Sequence, residues 1–176
     1  MPLRLLLISL SLLQLICMPV YAESWGFSES DFDEEKIPWE ELQAQIPAYP
    51  EIAKAIRFEV SPAIRTQFFI DPKSVAVGAD GVVRYTLIAQ SSSGVLNVSY
   101  EGMRCETNEK KLYAFGRTDG TWSRNRYAKW AAISPTRDPQ QNMLFNDFFC
   151  PLSIIVRDAD EAVSALKNGI NPRARN

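Results

Sequence analysis

The hydrophobic period changes along the chain, and each change predicts an element. Thr66 to Ile70 is rich in β-branched and aromatic side chains and stops at Asp71-Pro72, which reads as a strand. Ser74 to Val77 predicts a short extended piece, and Gly78-Ala79-Asp80-Gly81 predicts a turn. From Val82 to Gln90 the pattern alternates. Val83, Tyr85, Leu87 and Ala89 fall on one face, and Arg84, Thr86 and Ile88 on the other. Ser91 to Gly94 turns the chain. Val95 to Arg104 returns as a strand, with Leu96, Val98 and Tyr100 on one face. Asn97, Ser99 and Glu101 take the opposite face, and Cys105 shares their parity. A polar turn from Thr107 to Lys110 leads into a strand from Lys111 to Arg117. Gly116 to Gly120 predicts a loop, and Tyr127 to Ile133 one more strand, ended by Ser134-Pro135.

A helical period appears near the C-terminus. Gln140 to Phe149 puts Leu144, Phe145 and Phe148 on one face, and Pro151 stops it just past Cys150. Asp158 and Glu161 have the spacing of a capping box ahead of Ala162, Val163 and Leu166, and Gly169 supplies the C-terminal cap. Pro50 to Ile56 predicts a short helix. Trp39 to Leu42 predicts a single helical turn, limited by Pro38, Pro47 and Pro50. Together these elements predict an α+β fold. It is an antiparallel meander sheet of about five or six strands with a C-terminal helix packed on one face. The expected organisation is a single domain over 50–169, preceded by a weakly structured leader over 23–49 and followed by a tail over 170–176.

The first residues follow a different logic. Leu5 to Ile16 is an apolar run of 12 residues behind Arg4. That is shorter than the roughly 20 apolar residues that a membrane-spanning helix needs. Pro19 and then Val20-Tyr21-Ala22 complete the pattern of a secretory signal peptide over 1–22, cut between Ala22 and Glu23. Cys17 opens a lipoprotein reading, but the bulky Ile16 before it fits that signal poorly. No second apolar run follows, so no transmembrane span is expected in the mature chain. The expected location is the periplasm or outer envelope.

Composition sharpens this picture. A length of 176 residues suits one domain of ordinary size. No histidine is present, which removes Ser-His and Cys-His catalysis and the commonest zinc ligand. Glycine-rich phosphate loops and calcium loops are missing from the pattern, so no cofactor or metal is predicted. Once Cys17 leaves with the signal, Cys105 and Cys150 remain. An even pair in an exported chain points to a disulfide, here one that would tie the helix to the sheet. A redox-active pair is the competing reading, and it lacks both a C-x-x-C motif and a histidine to activate a thiol. Charge is segregated. From Glu23 to Glu41 there are eight acids and only Lys36, whereas from Leu42 onward bases outnumber acids by 17 to 13. The leader is therefore either a solvated, mostly disordered segment or one that docks on the body's basic face or guards a site there.

The strings Phe69-Ile70-Asp71-Pro72-Lys73-Ser74-Val75 and Asp80-Gly81-Val82-Val83-Arg84-Tyr85 carry a family resemblance. So do Val98-Ser99-Tyr100-Glu101-Gly102-Met103-Arg104-Cys105, Tyr113-Ala114-Phe115-Gly116 and Asp147-Phe148-Phe149-Cys150-Pro151. As a set, over about residues 50 to 169, they resemble the cryptic neisserial protein-like family of exported proteobacterial proteins. The resemblance implies an exported envelope protein of unassigned activity. More distantly, Asp71 with Ser74, Cys105, Trp130 with Ile133 and Pro135, and Cys150 resemble the pattern of surface-adhesin protein E. That relative implies a sheet with a disulfide-tethered helix and binding to host proteins, although its host-binding segments find no matching loop here.

Candidate chemistry concentrates between Trp122 and Trp130, where two tryptophans, Tyr127, Arg124, Arg126 and Lys129 interleave. Such a mixture suits acidic surfaces, glycans or single-stranded nucleic acid, and export argues against nucleic acid. The plainer reading is that the indoles pack on the sheet edge while the cations are solvated. Arg117, Trp122, Arg124, Arg126 and Trp130 form the candidate binding surface. Carboxylate pairs such as Glu101 with Asp119 or Asp147 are the remaining catalytic candidates, and nothing in the sequence fixes their separation. The expectation is a non-catalytic envelope module that binds an envelope or host protein or a cell-wall component. A small carboxylate-dependent hydrolase is the first alternative. A secreted inhibitor presenting the loop from Gly116 to Trp122 is the second.

Overall fold

The longest alternating run organises the molecule. The structure, a computed structural model, describes residues 38–175. The expected signal peptide, its Ala22/Glu23 junction and the leader as far as residue 37 lie outside the described residues. At the centre, β3 (Val82–Gln90) pairs antiparallel with β2 (Gln67–Val77) on one side and β4 (Leu96–Arg104) on the other. The sheet runs β1 (Ile56–Phe58), β2, β3, β4, β5 (Glu109–Gly116), β6 (Trp122–Arg124), with β7 (Ala131–Ala132) also on β5. The meander is therefore as expected, with seven strands among the described residues rather than five or six.

The differences have local causes. The stretches expected separately, Thr66–Ile70 and Ser74–Val77, fall in the single strand Gln67–Val77, because Asp71-Pro72 sits at a bulge between Asp71 and Ala76 instead of ending the strand. Ser74 Oγ donates to the Asp71 carbonyl at 2.7 Å and accepts from the Thr86 amide at 2.8 Å, so the bulge keeps its polar groups paired. The predicted helix after Pro50 is a single 3-10 turn, Ile52–Lys54, followed directly by β1. Only Ala131–Ala132 of the predicted strand from Tyr127 to Ile133 pairs with the sheet. In exchange, Trp122–Arg124 pairs with β5. No helical turn forms at Trp39 to Leu42.

One face of the sheet carries the main core. Val83, Tyr85 and Leu87 from β3 meet Met103 and Cys105, as the alternation predicts. Against them lies a helical layer. It comprises α1 (Pro139–Met143), a π-helical continuation Leu144–Phe149, and α2 (Ala159–Lys167). The wider π turn carries Leu144, Phe145, Phe148 and Phe149 into the core, and the Cys150 amide closes it on the Phe145 carbonyl at 2.9 Å. Each such fully buried side chain stabilises the fold by about 1.5–3 kcal/mol. The turn also delivers Cys150 to Cys105. The disulfide is formed, with a Cα–Cα distance of 5.4 Å, and it ties the helical layer to the end of β4.

α2 begins as its sequence dictates. The Asp158 carboxylate accepts from the Glu161 amide at 2.8 Å, and Glu161 accepts in return from the Arg157 amide at 3.0 Å. Residues after Gly169, expected as a tail, turn back instead. Asn171 is wholly buried, with its amide on the Asp147 carbonyl at 2.7 Å, and Arg173 reaches the Glu161 carboxylate at 2.6 Å. Among the described residues no helix is long and apolar enough to cross a membrane.

Candidate functional site

Among the described residues, no helix covers the second face of the sheet. The N-terminal segment of the described chain, residues 38–50, crosses it and carries neither helix nor strand of its own. We refer to it as the strap. It starts beside the β2–β3 turn, where the Trp39 indole donates to the Asp80 carbonyl at 2.7 Å. It ends at the far end of β5, where the Tyr49 hydroxyl donates to the Arg117 carbonyl at 2.9 Å.

Three anchors hold it. Glu41 sits at the first. Its carboxylate accepts from Lys111 Nζ at 2.6 Å, the Tyr113 hydroxyl at 2.7 Å and the Trp130 indole at 3.1 Å. Burial alone would raise its pKa, but these three donors and the Lys111 charge hold the carboxyl below its ordinary value. The same environment acts the other way on Tyr113. Burial and the Glu41 carboxylate push its hydroxyl well up, so it remains a donor. Trp39 completes this anchor, edge-on to Trp130 at 5.9 Å and beneath the Arg104 guanidinium at 4.0 Å.

At the second anchor the buried Asp80–Arg84 pair grips the strap backbone. The two side chains meet at 2.5 Å and are almost wholly enclosed. Asp80 accepts from the Leu42 amide at 2.9 Å, while Arg84 donates to the Leu42 carbonyl at 2.9 Å. Burial disfavours both charges, yet each is kept ionised by the other. The Asp80 carboxyl is lowered and the Arg84 guanidinium raised. Gly78 leaves the room this pair needs, since a Cβ there would collide with the Asp80 carboxylate and the Arg84 guanidinium.

The third anchor is apolar. Ala44 and Ile46 pack with Tyr100, Tyr113, Ala114 and Trp122, and the Trp122 indole donates to the Pro47 carbonyl at 3.0 Å. A register shift between β4 and β5 skips Tyr113, so that Tyr113 and Ala114 can both face the strap although they are adjacent in sequence. Gly116 lets Tyr49 lie close, because a Cβ there would stand 2.9 Å from the Tyr49 hydroxyl.

The five residues of the candidate surface therefore divide. Trp122 and Trp130 are half-buried, and their indole N–H groups are spent on the strap. Arg117, Arg124 and Arg126 are exposed around them, together with Tyr127, which is 86% exposed. Trp39, Glu41, Asp80, Arg84, Arg104, Lys111 and Tyr113 complete the arrangement, and the candidate set contains none of them. Their one signal in the sequence is the acidic leader set against a basic body.

The carboxylate candidates are not brought together. Glu101 is buried beneath the helical layer, where it accepts from Tyr85 at 3.1 Å, Ser99 at 2.7 Å and Gln141 at 3.0 Å. Asp119 caps its own exposed turn through Thr121. Asp147 lines a groove of about 460 Å³ with Arg57, Glu59 and Phe148, and burial raises its carboxyl. That groove contains neither Glu101 nor Asp119. No cluster of three or more metal-ligating side chains occurs among the described residues.

The architecture is a strapped antiparallel sheet backed by a disulfide-tethered helical layer. A family model described as the CNP1-like family matches residues 34–167, and the chain belongs to that family. The match begins within the leader and takes in the strap. No curated protein and no solved structure matches the chain. Surface-adhesin protein E does not emerge from these comparisons.

Proposed function

We propose that this protein is an exported, non-catalytic interaction module of the cell envelope. On this reading it binds an envelope or host protein or a cell-wall component through the edge formed by β5, β6 and the loop to β7. One observation carries the reading. Arg117, Arg124, Arg126 and Tyr127 are each exposed, in the same stretch of chain as two indoles that are already fixed by internal hydrogen bonds. Cations beside a rigid aromatic base make an effective contact surface, because the indoles are already ordered and only the exposed side chains lose freedom on binding. The export pattern of residues 1–22 supports the envelope location. The test is a photo-crosslinking amino acid placed at Tyr127 of the full chain in intact cells. A discrete adduct that disappears with Arg124→Glu/Arg126→Glu is expected. Labelling that ignores both substitutions would overturn the proposal.

A further inference from the structure

We propose that the strap is a displaceable internal ligand. The trough beneath it would accept, from another protein, an extended acidic segment of the same pattern. That pattern is an aromatic residue, a carboxylate two positions on, and a branched aliphatic followed by proline five positions further, as in Trp39, Glu41, Ile46 and Pro47. The inference rests on the reading of the protein as an interaction module, and it adds a second surface with a partner of stated chemistry.

The strap is held as a bound peptide is held. It adds no strand to the sheet, and its only regular backbone grip is the pair of bonds from Leu42 to Asp80 and Arg84. Most of the rest is read by side chains: an indole on the Pro47 carbonyl, three donors on Glu41 and a guanidinium over Trp39, while Trp39 and Tyr49 of the strap donate to the carbonyls of Asp80 and Arg117. The receiving groups sit on β3, β4, β5 and β6 and next to β7. These elements are fixed by their own ladder and by the core on the far side. The fit is incomplete. Open hollows of about 270 and 330 Å³ flank the strap, and Leu42 is 51% exposed between them. Arg124 lines the first hollow and makes no ion pair among the described residues. The Arg84 Nε, buried at the second hollow, has no hydrogen-bond partner there. Arg124, being exposed, would take a further acceptor. Among the described residues the trough is thus a cationic, aromatic-walled channel only partly satisfied by the strap, which suits an acidic peptide better than a neutral or basic one.

An attached strap competes at an effective concentration of about millimolar, so a second segment enters when the strap's own anchors are weakened. The test uses the full chain carrying Trp39→Ala/Glu41→Ala and a fluorescent synthetic peptide of residues 38–50. Binding at least about ten-fold tighter to this variant than to the unsubstituted chain is expected. Unlabelled peptide should compete, and a peptide carrying Glu41→Lys should not. Adding Lys111→Glu to the variant should abolish uptake. Three results would overturn the inference. The variant could melt cooperatively yet bind no peptide at about 1 mM, which would make the strap a brace only. It could fail to melt cooperatively, which would make the strap part of the core. It could form strap-exchanged dimers that exclude the peptide. None of these touches the Tyr127 crosslink, which lies outside the trough, so this inference and the module reading fail separately.

Discussion

At the residue scale, the charged groups that matter are those with several partners. Glu161 is the clearest. It receives the Arg157 amide and Nε, the Asn171 amide group and the Arg173 guanidinium, joining the start of α2 to the C-terminal turn. Burial would raise its carboxyl, but the donors bring it down to about 2. The folded pKa lies below the ordinary value of 4.5, so this group stabilises the fold above that value. The contribution is lost as pH falls from 4.5 toward about 2. Glu161→Gln should therefore lower the unfolding free energy at neutral pH by about 1–3 kcal/mol. Urea titrations across that range should show the difference shrinking as pH falls, and a pH-independent difference would refute the account. The sequence showed Glu161 as half of a capping box. It could not show that the same carboxylate also holds Asn171 and Arg173, because these lie 10 and 12 positions further along the chain and nothing local sets their return.

At the element scale, periodicity was the reliable guide, and punctuation misled. The central strands β3 and β4 and the helix α2 stand where their alternation or helical spacing puts them. Asp71-Pro72 looked like a stop, yet a bulge absorbs it, because a proline costs nothing where the ladder is already interrupted. Strands β1, β6 and β7 are three residues or shorter, too brief to show a period, and only their neighbours hold them extended. The helix over 140–149 was legible, but its π turn was not, since it arises from the demand to bury four large side chains and reach Cys105. That clamp should be measurable. Opening the Cys105–Cys150 bridge by reduction removes a loop closure worth about 4 kcal/mol in the chain-entropy model. The urea midpoint of the reduced protein should fall accordingly, and an unchanged midpoint would refute the clamp.

At the scale of the whole molecule, the sheet has two faces with different covers. Among the described residues, one is a largely apolar core under helices, and the other is covered by the strap. The second cover lacks a backbone ladder, so it should open without the rest. Native-state hydrogen exchange is expected to show amides of residues 38–50 exchanging at least about ten-fold faster than those of β3. Exchange of both sets only through global unfolding would contradict this. The sequence by itself determined the meander, the faces of its central strands, the helix caps and the cysteine pair. Each depends on a period, a cap or a count that neighbouring residues carry. Tertiary structure alone decided what Trp122 and Trp130 are for. Glu41 meets Lys111, Tyr113 and Trp130 across 70, 72 and 89 residues of chain. Such a meeting follows from how the sheet folds back on itself, which no local pattern encodes.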